Sequence, residues 1–169
     1  MEGRKILIPV DGSEHSERAF DWYAELLHSP GDEVLVVHCI ELPPVPLEHQ
    51  FPYGYNYLAE WQREADKIST DGKVLLNHFA FKCKQHHDLN NHPMPIRYRL
   101  LQPDEKSPSH SICDVAKREE VSMIVLGARG VGKIRRTVLG SVSDYVVHHA
   151  HVPVAVVPSE KSHFHFHHS

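Results

Sequence analysis

A chain of 169 residues that is 41% hydrophobic carries enough apolar material for one domain with a genuine core. Its formal charge of −4 sets it against the clustered basic surface that non-specific binding to nucleic acid or anionic membrane requires. No apolar stretch of signal-peptide length follows Met1 and no run approaches the roughly 18 residues of a membrane span, so a soluble, cytoplasmic protein is expected.

Lys5-Ile-Leu-Ile-Pro-Val10 is apolar without alternation, as a strand buried on both faces of a parallel sheet should be, and Pro9 ends its ladder. Asp11-Gly12-Ser13 turns into a helix, with Ser13 as N-cap, Glu14 in the first turn, and Ala19, Phe20, Tyr23, Leu26 and Leu27 on the apolar stripe. Pro30-Gly31 stops that helix. Glu33 to Ile40 predicts a second buried strand, in which Cys39 reads as a small core residue. With Cys83 and Cys113 it makes an odd, widely spaced set that fits reduced thiols better than a disulfide framework.

The segment from Pro43 to Tyr57 mixes prolines with aromatics and lacks a period. It is a plain surface loop or a lid over a ligand, since loops after parallel strands lie where such sheets bind. From Leu58 to Cys83, helical spacing of Leu58, Trp61, Ala65, Ile68, Leu75, Leu76, Phe79 and Cys83 predicts a long helix, mildly interrupted at Gly72. His86, His87 and His92 follow in a polar stretch read as a loop. Without carboxylate or cysteine partners they make a poor metal site.

Pro95 to Leu101 alternates and predicts an edge strand with a wetter face. Ser107-Pro108 opens a helix with Ile112, Val115 and Ala116 inward and Glu119-Glu120 at its end. Met123 to Leu126 predicts a buried strand, Val142 to His149 a helix, and Val154 to Val157, bracketed by Pro153 and Pro158, a closing strand. His149 reads as a packed helix residue and not a catalyst. Strand and helix thus alternate four times before the last strand, which predicts an α/β fold with a parallel sheet covered on both faces. Residues 1–158 are expected to form the domain. Residues 159–169, with His163-Phe-His-Phe-His-His168, read as a terminal appendage, either disordered or a purification tag.

The most informative stretch joins the fourth strand to the fourth helix. Its glycines are spaced Gly127, two residues, Gly130, nine residues, Gly140-Ser141. Glycines let backbone approach an anion, and a helix N-terminus offers free N–H groups with partial positive charge, so the pattern suits phosphate. Lys133, Arg135 and Arg136 inside the loop are either a solvated basic turn or a rim that draws in a polyphosphate. Gly127 to Lys133 nearly spells a P-loop, but Ile134 stands where that motif needs a hydroxyl for magnesium.

With Asp11-Gly12-Ser13 and Pro153 to Val157, this spacing resembles the ATP-binding branch of the universal stress protein family, over roughly residues 4 to 158. The resemblance implies a three-layer, doubly wound, five-stranded parallel sheet in the order 3-2-1-4-5, with a ligand crevice between strands 1 and 4. It implies that Pro9, Val10 and Cys39 flank an adenine base, with Leu126 also in the nucleotide site and Asp11 accepting from a ribose hydroxyl or helping to hold a metal. Gly127, Arg129, Gly130, Gly140, Ser141, Val142 and Ser143 would hold ribose and phosphates. The implied cofactor is ATP, or AMP or ADP, with magnesium, and the implied assembly is a homodimer through Val154, Ala155, Val156 and Val157. Taken singly, Asp11 also reads as a turn acid and Ser141 as a plain N-cap. No base for hydrolysis is assigned by the sequence. A nucleotide-dependent stress-response switch, a slow ATP hydrolase and an interaction protein that binds no nucleotide therefore remain open.

Overall fold

The apolar runs become parallel strands. In the computed structural model the elements are β1 (Lys5–Pro9), α1 (Glu14–Trp22), β2 (Glu33–Cys39), α2 (Tyr57–Asn90), β3 (Ile96–Leu101), α3 (Pro108–Arg118), β4 (Met123–Gly127), α4 (Ser141–His149) and β5 (Val154–Val157). All pairings are parallel and the order is β3-β2-β1-β4-β5, as expected. The structure describes residues 3–45, 47, 56–90, 93–102, 107–129 and 139–158. The expected tail, most of the proline-tyrosine segment, His92, and the loop from Gly130 through Val138 lie outside the described residues.

Period-two alternation divides the core between the two faces of the sheet. Ile6, Ile8, Val34 and Val36 pack with Phe20, Tyr23, Leu76 and Phe79 of the α1–α2 layer. Leu7, Leu35, Val37 and Leu126 pack with Ile112, Val115 and Val146 of the α3–α4 layer. Ile6, Leu7 and Ile8 are all 0% exposed, which is why this central strand reads as a continuous apolar run. Each such side chain contributes about 1.5–3 kcal/mol by leaving water. Because β2 and β3 lie to one side of β1, and β4 and β5 to the other, the chain reverses its winding between β1 and β4. A crevice opens at the C-terminal ends of those strands.

Several local expectations need correction. The first helix is α-helical only to Trp22 and then widens into one π turn, Tyr23–Leu27, closed by the His28 amide donating to the Tyr23 carbonyl at 2.8 Å. The extra residue rotates Leu26 off the apolar stripe, leaving it 72% exposed. The long helix does not end near Cys83. It runs on to Asn90, so His86 and His87 are helical and not in a loop. There the His86 ring donates through Nε2 to the Ala24 carbonyl at 2.8 Å, tying the helix to the π turn.

Gly72 does not interrupt that helix either. A Cβ at Gly72 would lie 2.6 Å from Leu100 Cδ1 and 3.1 Å from both His38 Cδ2 and Ile40 Cγ2. The glycine is a notch that lets α2 settle onto β2 and β3. Finally, the cap of α4 is Gly140, with Ser141 as the first helical residue, and His149 is exposed, its ring stacked on Tyr145 at 3.9 Å.

Candidate functional site

A cleft of about 670 Å3 sits at the C-terminal edge of the sheet. Pro9 and Val10 bring the end of β1 to it, and Cys39 the end of β2. Leu126 and Gly127 bring the end of β4, and Asp11 enters from the turn after β1. Arg129, Gly140, Ser141, Val142 and Ser143 close the far end. Of the residues implied to hold the nucleotide, Gly130 lies outside the described residues, as do Lys133, Ile134, Arg135 and Arg136 of the same loop. Sequence reasoning missed His38, Ile40, Ile68, Pro108, Ile112 and Leu139, which also line the cleft. For Ile68 and Ile112 the only signal was helical period, which marks a buried face without distinguishing core from pocket wall, and Pro108 read only as a helix start.

The two ends differ in chemistry. At one end Val10, Cys39, Ile40, Ile68 and Ile112 make an apolar slot. The Cys39 thiol, 3.8 Å from the Pro108 carbonyl, is pushed up to about 11 by burial, with the Glu41 charge adding, so it stays protonated near neutrality. At the other end stands the N-terminus of α4. Its cap is a glycine with no side chain to bond the first-turn amides, so among the described residues the N–H groups of Ser141, Val142 and Ser143 meet no capping side chain. Such a terminus is a ready anion site.

The approach to that terminus is fixed by a small set of bonds. The Gly140 amide donates to the Ala128 carbonyl at 2.8 Å, drawing together the two ends of the glycine loop. The Ser143 hydroxyl, on a residue only 2% exposed, lies 2.8 Å from the Ala128 carbonyl and 2.9 Å from the Gly140 carbonyl. Its single proton is shared between those acceptors. Ser143 thus clamps the loop with its hydroxyl, whereas Ser141 leaves its side chain exposed.

Gly127 has a structural reason of its own. A Cβ there would sit 2.6 Å from the His15 carbonyl oxygen and 2.7 Å from its carbonyl carbon, so glycine lets β4 pass under α1. Gly140 is freer, the nearest atom to a Cβ being Arg129 Cα at 3.3 Å.

Asp11 begins the opposite wall. Its Oδ1 accepts from the Ser13 amide at 3.0 Å and from the Ser13 hydroxyl at 2.5 Å, which steadies the turn and presents Ser13 as the N-cap of α1. The carboxylate is exposed, and Oδ2 accepts no hydrogen bond from a described residue. Gly12, at φ +77°, supplies the left-handed step that makes this turn possible. Among the described residues no three His, Cys, Asp or Glu side chains gather at metal-binding spacing, and no helix is long and apolar enough to cross a membrane.

Comparison with known proteins adds to this geometry. The model of the universal stress protein family matches residues 3–158. A relative from Methanocaldococcus jannaschii, Universal stress protein MJ0531, is 25% identical over 158 residues, covering 94% of this chain and 84% of its own. Among solved structures, the protein MJ0577 superposes with a TM-score of 0.71 at 23% identity, covering 96% of this chain and 100% of that one. A universal stress protein family member from Arabidopsis thaliana, At3g01520, solved with AMP bound, gives a TM-score of 0.63 at 20% identity, with 94% and 93% covered.

Proposed function

The chain belongs to the universal stress protein family, and from that premise we propose that its cleft binds an adenine nucleotide whose presence or absence switches the protein between states in a stress response. The observation that carries this reading is the polarity of the cleft. An apolar slot leads to a helix N-terminus whose amides no described side chain caps. Val10 and Cys39 would flank the base, Asp11 would face the ribose, and Ser141, Val142 and Ser143 would give their amides to the phosphates. The AMP held by the Arabidopsis relative of the same fold supports the choice of ligand. ATP, with AMP or ADP as the shorter alternatives, suits a cleft whose far end is lined by Arg129 and the first turn of α4. Magnesium, when bound with ATP, would neutralise phosphate charge, and the open Oδ2 of Asp11 is an oxygen of the kind it takes. The proposed activity is binding and release in the cytoplasm, by two copies of the chain joined along β5.

The test uses the missing cap. Gly140 sits at φ −64° and ψ 156°, a conformation well suited to an aspartate N-cap. Gly140→Asp should therefore keep the fold, with the Arg129 backbone, 3.3 Å from the new Cβ, giving by a few tenths of an ångström. It should also lose ATP and AMP binding by tenfold or more, an order-of-magnitude expectation for an anion meeting a carboxylate in its place. Calorimetric titration of both proteins measures this. Undiminished binding by the folded variant would place the nucleotide elsewhere, and a wild type that binds neither compound would end the reading.

A further inference from the structure

The edge of the sheet opposite β5 is β3, which pairs with β2 and with no other described strand. The Val34 amide donates to the Pro95 carbonyl and the Ile40 amide to the Leu101 carbonyl, both at 2.8 Å, so the odd-numbered residues here bond β2. In a parallel ladder the alternate residues turn the other way, which directs the N–H and C=O groups of Ile96, Tyr98 and Leu100 out of the sheet. No proline lies within β3 to interrupt that row.

The two faces beside the row differ in chemistry. Ile96 and Leu100 pack with the α1–α2 layer, and Tyr98, of the same parity, is 53% exposed between them. On that face a second cavity, of about 400 Å3, opens between α2 and the start of β3, lined by Ala80, Cys83, Met94 and Ile96 among others. Arg97 and Arg99 turn to the other face, where Arg97 pairs with Glu33 and Glu119, and Arg99 with Glu119. Both arginines stay partly in water, and their forks hold more N–H donors than these carboxylates take. In a two-fold pairing of two β3 edges about Tyr98, Arg97 would stand opposite Arg99 of the second copy, which disfavours self-association. A strand of alternating apolar and acidic residues meets both faces, with apolar side chains toward the cavity and Tyr98 and carboxylates toward Arg97 and Arg99.

We propose that the β3 edge is a docking site for an extended segment of another protein in which apolar and acidic residues alternate, added to the sheet as a further strand. The outward backbone row supplies affinity, while the cavity and the arginines supply specificity. The site is separate from the cleft and stands whether or not the cleft binds a nucleotide.

The experiment titrates the 15N-labelled full chain with capped hexapeptides that alternate valine with glutamate or valine with lysine. The glutamate peptide should bind roughly tenfold or more tightly than the lysine peptide, an order-of-magnitude expectation for exchanging opposite for like charge at the arginines. It should also move the amide resonances of Ile96, Tyr98 and Leu100. Equal affinities, no binding of the glutamate peptide, or shifts at β5 or the cleft in place of β3 would overturn the proposal. Tyr98→Ala loses the ring and keeps the outward amide, whereas Tyr98→Pro loses both and takes no donor from β2. The proline variant should bind the glutamate peptide roughly five- to tenfold more weakly than the alanine variant, as for one lost hydrogen bond, and equal binding by the two would exclude strand addition. Should Tyr98→Pro fail to fold, N-methylated peptides on the wild type decide. The valine amides face β3 in an antiparallel addition and the glutamate amides in a parallel one, so methylating one set should abolish binding and methylating the other should spare it. Equal effects of both would overturn the added strand.

Discussion

At the scale of single residues, two side chains show how little of the site's geometry is held by groups that would touch a ligand. Ser143 reads in the sequence as a phosphate-binding hydroxyl, but its oxygen is already within 2.9 Å of two carbonyls at the mouth of the glycine loop. Ser143→Ala should remove that clamp and leave the Ala128–Gly140 backbone bond alone to hold the loop. We expect a loss of about 1 kcal/mol in stability, typical of one hydrogen bond, and a weaker nucleotide complex. Urea denaturation and calorimetry measure the two. Unchanged affinity would show that the loop needs no clamp.

Asp32, 2% exposed, is the second case and lies far from the cleft. Burial alone would push its carboxyl up, but Arg4 Nη2 at 2.5 Å, the Ser29 amide at 3.0 Å and the Tyr23 hydroxyl at 3.0 Å outweigh burial and hold it below its ordinary value. A depressed carboxylate adds stability above its unfolded-state pKa, near 4, and that stability is lost as pH falls through the lower folded value. Asp32→Asn should therefore cost about 3 kcal/mol at pH 7, the low end for breaking a buried pair because Arg4 stays partly in water. The gap to the wild type should narrow below about pH 4. A pH-independent gap in urea midpoints would mean that packing, not charge, explains the network.

At the scale of elements, the strands were legible because a sheet buried on both faces writes itself as unbroken apolar runs, and Ile6 to Ile8 or Val34 to Val37 can hardly be anything else. The π turn was not legible, since no residue pattern announces one inserted residue, and Leu26 was misplaced for that reason. The end of α2 was missed because the anchor that extends it, His86 to the Ala24 carbonyl, joins residues distant in sequence. The cleft divides the same way. Glycines and turn residues announced its β1, β4 and α4 walls, whereas Ile68 and Ile112 came from helices read only as core.

Gly72 shows how a punctuation reading fails. Exchanging a mid-helix glycine for alanine ordinarily gains about 1 kcal/mol. Here the side chain would press on Leu100, His38 and Ile40, and it would lift α2 where Ile68 and His38 line the cleft. Gly72→Val should destabilise by about 1–3 kcal/mol through overpacking and should also weaken nucleotide binding. A stable variant with wild-type affinity would show that α2 does not set the width of the slot.

At the scale of the whole molecule, the sheet has a free edge at β5, which pairs with β4 on one side only. The Pro153 carbonyl accepts from the Ile124 amide and the Val157 carbonyl from the Ala128 amide, so this odd-numbered set faces β4. In a parallel ladder the alternate residues turn their N–H and C=O groups the other way, which puts the backbone groups of Val154 and Val156 outward. Their side chains, half-buried with those of the α3–α4 layer, extend an apolar margin to the rim. An edge of this kind invites a second strand, and the prolines at both ends limit the contact to a short segment, which favours closed two-fold pairing over open stacking. The same prolines would also serve an edge kept free, so a perturbation must touch the outward face alone. Val156→Pro deletes the outward amide without removing a donor to β4, and proline is tolerated on edge strands. Multi-angle light scattering should give twice the chain mass for the wild type and a single chain mass for the variant, with circular dichroism confirming that the fold is kept. A wild type that stays monomeric at tens of micromolar, or a folded variant that still pairs, would exclude β5 as the seam.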